Sequence, residues 1–269
     1  MDADTTQCLT AADPISTRTL EEQHKWCPMS RNRVLLLTAS LKPFPGIPYS
    51  TRDDPLVREM DYYTATHFYL SKGYKVVLVD NSNSLSEKIN NLESCFSTLE
   101  YLRFSSEKSR LGKSHGEVEI INYALSHSRF MDEVDYIVKI TGRYIIKNID
   151  ECFRLTNSVE KQIYVNPIHN FNWADTRLMM MKKSFYYQYF LPAADKFLDD
   201  ANYIFIENVY MKSLFQYLIE GGKLNLWPVY PCFQGYDGRS NKKSDFKFFK
   251  CLKYRIYYRI KERILKFKA

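Results

Sequence analysis

Residues 134–148 read Val-Asp-Tyr-Ile-Val-Lys-Ile-Thr-Gly-Arg-Tyr-Ile-Ile-Lys-Asn, an apolar strand that runs into Thr-Gly-Arg-Tyr and a second short apolar run. In an α/β protein, functional groups are presented where buried strands end, at the carboxyl edge of the sheet. The group presented here is the guanidinium of Arg143, whose planar fork binds phosphate oxygens in pairs. The stretch predicts a core strand and an anion site at its end. Taken alone, it also fits an ordinary core strand with Arg143 in a surface ion pair.

Apolar strands and helical patterns alternate on both sides of this stretch. The patterns predict strands at 33–40, 74–80, 99–104 and 134–140, separated by helices at 55–71, from residue 86 and at 117–127. Beyond residue 150 they predict shorter strands at 163–165, within 171–181 and at 227–230, with helices at 183–190 and 207–221. This rhythm predicts an α/β fold with a mostly parallel sheet flanked by helices.

The composition is that of a globular protein with one substantial core. The chain has 269 residues, of which 45% are hydrophobic. Its six cysteines form no Cys-x-x-Cys pair and no metal-ligand spacing, so we expect reduced thiols. No apolar run reaches the roughly 20 residues of a membrane span, and the first 33 residues lack a signal-peptide pattern. We therefore expect a cytoplasmic protein.

The net charge of +7 is concentrated in the last 31 residues. From Arg239 onward twelve Lys and Arg stand against two acidic residues, whereas residues 1–238 carry 26 basic and 29 acidic side chains. In a helical projection of 245–268, an apolar stripe is separated from most of the basic residues; it comprises Phe249, Leu252, Ile256, Ile260, Ile264 and Phe267. Such a basic amphipathic helix favours an anionic membrane surface. A helix docked on the domain and a nucleic-acid contact are the alternatives.

Two further motifs follow predicted strands. Asp80-Asn81-Ser82 offers a carboxylate and an amide where a nucleoside lies in a crevice of a sheet, although these residues also favour a simple Asx turn. Residues 112–117, Gly-Lys-Ser-His-Gly-Glu, join two glycines and a lysine to a helix start but lack the Walker spacing. They predict an anion site, a capping box between Ser114 and Glu117, or both.

The order of these elements and motifs resembles small bacterial glycosyltransferases with the GT-A fold that build lipopolysaccharide or capsule. The resemblance covers roughly residues 33–230, and its specific parts are the Gly-Lys-Ser-His-Gly-Glu and Lys-Ile-Thr-Gly-Arg-Tyr blocks. It implies a GT-A-like, Rossmann-related sheet and a nucleotide-sugar donor. The donor-binding residues that it implies are Thr38, Ser40, Arg58, Asp80, Asn81, Ser82, Lys113, Gly116, Glu117, Thr141, Gly142 and Arg143.

The chain departs from the family at the metal site. Most GT-A enzymes carry Asp-x-Asp where this chain has Thr141-Gly142-Arg143, and its one Asp-x-Asp lies at residues 2–4. We therefore expect no metal ligands and no cofactor, with the charge of the leaving group met by Arg143 and Lys113, together with Lys139 or Arg58. Dependence on a divalent metal stays doubtful.

The resemblance also implies a catalytic carboxylate and an acceptor site. Glu207 stands at a predicted helix start where GT-A enzymes often carry their base, and Asp175 is the second candidate; Arg143 completes the catalytic set. A helix-start Glu is also favoured by the helix dipole alone. Trp173, which can stack on a sugar face, and His169 are the predicted acceptor-binding residues. The stereochemical outcome stays open.

The sequence thus predicts a leader at 1–32, a glycosyltransferase domain at 33–238 and a membrane-surface tail at 239–269. Within the domain, 33–150 forms the nucleotide-sugar half and 151–238 the acceptor half. The expected function is sugar transfer to a lipid-linked or polysaccharide acceptor, in the cytoplasm and peripherally on the inner face of the cell membrane. A nucleic-acid-binding α/β module with a basic tail is the alternative from another class, and a nucleotidyltransferase, which needs metal-binding carboxylates, is the alternative among enzymes.

Overall fold

The computed structural model describes residues 33–46, 51–154, 156, 163–168, 171–238 and 240–244, together with positions 256 and 260. The predicted leader 1–32 and His169 lie outside the described residues, as does most of the predicted tail. At the two described positions within the predicted tail helix, the backbone is helical and the side chains of Ile256 and Ile260 are exposed.

The strands follow one another as short elements with helices between them. They are β1 Val34–Ala39, β2 Lys75–Asp80, β3 Leu99–Arg103, β4 Tyr136–Thr141, β5 Ile145–Ile146, β6 Ile163–Tyr164, β7 Pro167–Ile168, β8 Trp173–Ala174, β9 Leu178–Lys182, β10 Leu224–Asn225, β11 Phe233–Tyr236 and β12 Lys243–Ser244. The α-helices are α1 Pro55–Ser71, α2 Glu87–Cys95, α3 Lys113–His127, α4 Arg129–Asp132, α5 Ile149–Arg154, α6 Lys183–Phe185, α7 Leu191–Phe197 and α8 Ile206–Ile219. A π-helical turn, Tyr186–Phe190, joins α6 to α7, and 3₁₀ turns cover Lys108–Leu111 and Asp200–Asn202.

Seven of the described strands form one sheet in the order β10-β6-β9-β4-β1-β2-β3. Strand β1 is parallel to both β2 and β4, and β2 is parallel to β3. Strand β9 runs antiparallel to its neighbours β4 and β6, and β10 is parallel to β6. The predicted α/β class with a mostly parallel sheet is therefore confirmed.

Helices cover both faces of this sheet, which is why its central strands are apolar on both sides. Residues of α1, α2 and α5 pack with the Val76 side of the sheet in one core cluster. Residues of α3, α4, α7 and α8 pack with the Val77 side in a second cluster. Because side chains alternate along a strand, Lys139 of β4 faces the α3 and α8 side, like Ile137.

Several boundaries differ from the sequence predictions. The bounds of α1 are as predicted. Its apolar residues Leu56 and Met60 are exposed, and its buried face includes Tyr62 and Tyr69. Helix α3 begins at Lys113, four residues before the predicted start. The strand predicted at 227–230 is wrong, because that segment has no strand and Trp227 is a fully buried core residue.

Candidate functional site

A cavity of about 640 Å³ opens at the carboxyl edge of the sheet, above the ends of β1, β2 and β4. The parallel strands deliver their terminal residues to this one edge, so residues far apart in sequence meet there. Eleven of the predicted site residues, assigned to the donor, to catalysis or to the acceptor, line the cavity: Thr38, Ser40, Arg58, Asn81, Lys113, Glu117, Thr141, Arg143, Trp173, Asp175 and Glu207. The structure therefore brings both predicted halves of the domain to one cavity.

The antiparallel direction of β9 explains how the second half reaches the site. Ile140, near the end of β4, pairs with Leu178, which begins β9. The residues just before β9 therefore lie at the same edge as the ends of the parallel strands. The backbone N–H of Thr141 accordingly donates to the carbonyl of Arg177 at 3.1 Å. This register places the segment 173–177 in the wall of the cavity.

Lys139 lies beneath the cavity and is completely buried. Its ammonium forms an ion pair with Glu117 and donates to the carbonyl of Thr176 at 2.9 Å and to the hydroxyl of Thr141 at 3.1 Å. A buried ammonium is tolerated only when it is paired and hydrogen-bonded in this way. The cluster therefore fixes a balanced pair of charges, Lys139 and Glu117, at the end of β4, close to the place where the sequence predicted an anion site.

Glu207 is partly buried in the first turn of α8, at the cavity wall. Burial, followed by the nearby carboxylate of Glu117, raises the pKa of Glu207 to about 7. The hydroxyl of Thr176 donates to its Oε1 at 3.3 Å. A carboxyl group with this pKa exchanges a proton easily near neutral pH, which is what a general base or acid requires.

Asp175, the second predicted catalytic carboxylate, is held by its neighbour Arg177. The Nε and Nη2 of Arg177 donate to the two carboxylate oxygens of Asp175 at 2.8 and 2.7 Å. The guanidinium also lies 4.0 Å from the ring centroid of Phe233. This bidentate pair occupies both oxygens of Asp175, so the carboxylate is less suited than Glu207 to accept a proton from a substrate.

The two predicted donor-binding arginines have different surroundings. The Nε of Arg143 donates to the carbonyl of Tyr236 at 2.9 Å, and its guanidinium lies 5.4 Å from the Tyr144 ring centroid. Arg58 donates from Nε to the carbonyl of Ser40 at 2.5 Å, and its Nη1 and Nη2 donate to other protein oxygens. Arg58 therefore chiefly holds the loop after β1 in shape, whereas Arg143 presents its charge to the cavity.

The three residues of the Asp80-Asn81-Ser82 motif have different surroundings: two stabilise the turn and one lines the cavity. Asp80 is fully buried and accepts from the backbone N–H of Leu41 at 2.7 Å and of Ser84 at 3.0 Å. Burial raises its pKa, while these hydrogen bonds oppose the shift. Ser82 also donates to Asp80. Of the three residues only Asn81 lines the cavity, so the Asx-turn interpretation describes Asp80 and Ser82.

The start of α3 is capped from elsewhere in the chain. The carboxylate of Asp200 accepts hydrogen bonds from the hydroxyl of Ser114 at 2.7 Å and from His115 Nδ1 at 2.8 Å. It also accepts from the backbone N–H groups of Ser114 and His115, each at 3.3 Å. The N-cap position is Gly112, with φ +145, and a Cβ there would lie 2.2 Å from the Cβ of Asp200. The predicted capping box between Ser114 and Glu117 is therefore wrong, since Asp200 supplies the cap and Glu117 binds Lys139.

Two aromatic side chains, Trp173 and Phe205, form an aromatic rim where they line the cavity together with Glu207. The rings of Trp173 and Phe205 meet edge to face with centroids 5.8 Å apart, and Tyr203 meets Phe205 in the same way at 6.2 Å. Tyr203 has φ 62 and Phe171 has φ 66, a conformation that non-glycine residues seldom adopt. Trp173, a predicted acceptor-binding residue, thus lies beside the predicted base.

Some predicted residues lie behind the cavity, and others lining it were missed. Asp80, Ser82, Gly116 and Gly142 do not line it. Ser109, Thr176, Arg177, Asp200 and Phe205 line it without having been predicted. Lys139, named only as a possible charge, carried a usable signal because a lysine inside an apolar strand breaks the core pattern. The five residues that were missed carried no signal in their sequence spacing, since contacts with distant parts of the chain bring them to the site.

Within the described residues, no group of three or more His, Cys, Asp or Glu side chains is arranged to hold a metal ion. Among the same residues, no helix combines the length and the apolar character needed to cross a lipid bilayer.

The chain resembles solved structures of nucleotide-handling transferases in its fold. An inositol-1-phosphate CTP transferase from T. maritima matches with a TM-score of 0.41 at 13% identity, over 72% of this chain and 84% of that one. A protein described as a nucleotide-diphospho-sugar transferase from Desulfovibrio desulfuricans G20 matches with a TM-score of 0.40 at 9% identity, over 72% and 79%. A 4-diphosphocytidyl-2C-methyl-D-erythritol synthase from Anaerococcus prevotii matches with a TM-score of 0.39 at 10% identity, over 84% and 97%. No protein-family model matches the chain, and no curated protein matches its sequence.

Proposed function

We propose that this protein is a glycosyltransferase that moves a sugar from a nucleoside-diphosphate sugar to a hydroxyl group of a saccharide-containing acceptor. One observation carries the proposal. A single cavity at the carboxyl edge of the sheet holds the Arg143 guanidinium and a separate carboxyl group, Glu207, whose pKa is raised to about 7. Transfer of a sugar from a diphosphate needs both a cation for the leaving group and a base for the attacking hydroxyl.

The diphosphate is assigned to the side of the cavity lined by Arg143 and Lys113. Both are positive charges, one just after the end of β4 and the other at the start of α3. Lys139 lies below them, where its charge is balanced by Glu117. These cations stabilise the negative charge that develops on the diphosphate as the bond to the sugar breaks, and no step requires a metal ion.

Glu207 is assigned as the base. Its carboxylate takes the proton of the acceptor hydroxyl while that oxygen forms a bond to the anomeric carbon, and the electron pair of the broken bond leaves with the diphosphate. We propose an inverting reaction, because direct displacement with inversion needs one base for the acceptor hydroxyl, and Glu207 is assigned that part. Asp175 is the weaker candidate for the base, since Arg177 occupies both of its oxygens.

The acceptor is assigned to the aromatic rim. The rings of Trp173 and Phe205 line the cavity and offer apolar faces on which the C–H face of a pyranose can pack. Phe205 directly precedes α8, whose first turn carries Glu207. A lipid-linked or polysaccharide acceptor of bacterial surface polysaccharide synthesis, and attachment of residues 239–269 to the inner face of the membrane, are further parts of the proposal. They rest on the sequence pattern of the tail.

A binding and transfer experiment on the full chain tests the proposal. A panel of nucleoside-diphosphate sugars is expected to contain one that raises the melting temperature, and that donor is then expected to glycosylate a saccharide acceptor in the presence of EDTA. Release of pyrophosphate from a nucleoside triphosphate and a sugar phosphate, without transfer, would identify a nucleotidyltransferase instead. Salt-sensitive binding of oligonucleotides with no response to any nucleotide sugar would favour the nucleic-acid module.

A further inference from the structure

One polar atom in the cavity wall has no protein partner among the described residues. Asn81 is 6% exposed and lines the cavity, yet its side-chain Oδ1 accepts no hydrogen bond. A buried acceptor without a donor is unfavourable, so such an atom in the wall of a cavity indicates a ligand group that completes it. Its backbone is fixed on both sides, since the N–H donates to Ala39 and the carbonyl accepts from Ser106.

The orientation of the Asn81 amide is set by a directed chain of hydrogen bonds. Its Nδ2 donates to the hydroxyl of Ser109 at 2.8 Å. That hydroxyl donates to Ser106 at 2.7 Å, and the Ser106 hydroxyl donates to the carboxylate of Glu119. Because an ionised carboxylate only accepts, each member of the chain must donate toward Glu119. One N–H of the Nδ2 group is thereby given to Ser109, and Oδ1 is left as an acceptor without a partner in a side chain that lines the cavity.

The packing around this chain leaves little room for a different arrangement. Gly116 of α3 lies directly against the Asn81–Ser109 hydrogen bond. A Cβ at Gly116 would lie 2.6 Å from the Ser109 hydroxyl and 2.8 Å from the Asn81 Nδ2. The carbonyl of Gly116 is a second, longer acceptor for the same Nδ2 at 3.5 Å, which also disfavours a reversed amide. This explains why a small residue stands at 116, which the sequence had assigned to the donor itself.

We propose that Glu119, acting through Ser106 and Ser109, sets the base specificity of the donor site by fixing Asn81 as an acceptor. The inference rests on the proposed function, since it takes the ligand to be a nucleotide. The favoured bases are those that present a ring N–H, uracil and thymine or guanine. Cytosine and adenine present a bare ring nitrogen at the same place and need a donor there, which an acceptor oxygen such as Oδ1 cannot supply.

The test measures nucleotide binding to the full chain by calorimetry. UDP is compared with CDP, and GDP with ADP, because the members of each pair have rings of equal size. In the pair that binds, the member with the ring N–H is expected to bind at least tenfold more tightly. In Ser109→Ala and Glu119→Gln this ratio is expected to fall to within about threefold, because the amide is then free to turn over. Ser126→Ala, whose hydroxyl bonds only its own helix, and the surface variant Glu133→Gln are the controls.

The outcomes separate the two proposals. If no nucleotide binds, the proposed function fails and the inference fails with it. If nucleotides bind but CDP or ADP is preferred, or the preference is unchanged in both relay variants, the inference alone is overturned. Melting temperatures of each variant, measured beside the controls, show whether the fold is kept. A variant that does not fold is replaced by Ser106→Ala, which interrupts the same chain at its middle.

Discussion

The carboxylate of Asp200 accepts a hydrogen bond from the hydroxyl of Ser114 at 2.7 Å, across 86 residues of sequence. It thereby occupies the positive N-terminal end of α3, where a sequence motif had predicted a phosphate. The contact joins the 3₁₀ turn Asp200–Asn202 to α3, the helix that carries Glu117. This turn leads into α8, the helix that carries Glu207. One capping interaction therefore links the helix that carries Glu117 to the segment that leads into the helix carrying Glu207.

Replacing Asp200 with Ala is expected to lower the free energy of unfolding by about 1–2 kcal/mol, since it removes the only side-chain cap that α3 has among the described residues. Urea unfolding measures the loss. Asp132→Ala, at an exposed position at the end of α4, serves as the control and is expected to change little. Equal stability of the Asp200 variant and the wild type would mean that water replaces the cap without cost.

Lys139→Met is expected to lower the free energy of unfolding by about 3 kcal/mol or more, because it leaves the Glu117 carboxylate without its partner. The double variant Lys139→Met with Glu117→Gln is expected to be more stable than Lys139→Met alone. Lys75→Met, which breaks an exposed ion pair with Glu133, is the matched control and is expected to lose less than about 1 kcal/mol. Additive losses in the double variant would contradict the coupling.

Stability is expected to depend on pH through Glu207. Its pKa in the folded protein, about 7, lies above the ordinary value of 4.5, so the fold favours the protonated form. The stabilising contribution is complete below pH 4.5 and is lost as the pH rises through 7, which amounts to a change on the order of 3 kcal/mol relative to Glu207→Gln. Unfolding measured from pH 4.5 to 8 tests this, with Glu87→Gln on the exposed first turn of α2 as the control.

The same titration predicts how transfer responds to pH. If the Glu207 carboxylate is the base, the transfer rate should rise with pH up to about 7 and then level off, because only the ionised form accepts a proton. Glu207→Gln should abolish transfer while donor binding is kept. Asp175→Asn should leave the shape of the pH profile unchanged. Transfer by Glu207→Gln at a near-normal rate would show that another group is the base.

Arg143→Ala is expected to slow transfer by about 10²–10³-fold, since it removes a fixed donor from the developing diphosphate charge. Arg143→Lys keeps the charge but not the planar fork, and an intermediate rate is expected. Arg103→Ala is the control, because Arg103 ends β3 at the same edge of the sheet but does not line the cavity. A near-normal rate for Arg143→Ala, with an unchanged melting temperature, would show that the diphosphate binds elsewhere.

Local patterns in the sequence were sufficient for the fold class. Apolar runs predicted β1, β2 and β4, and a proline and a glycine marked the start and the end of α1. Such signals act over a few neighbouring residues, so they can be recognised in the sequence alone. The segment 227–230 was misjudged because a short apolar run fits a strand and a buried loop equally well. The burial of Trp227 depends on packing against residues distant in sequence.

By itself, the sequence determined that an apolar strand would end at Thr141-Gly142-Arg143 and place the cation of Arg143 next to its carboxyl end. Only the tertiary structure decided which side chains meet there. The reversed direction of β9 brings Asp175 and Arg177 to that edge, and the loop before α8 brings Asp200 to α3. The difference is physical: strand and helix patterns come from neighbours in sequence, whereas the partners of Lys139, Asn81 and Glu207 are chosen by how distant elements pack.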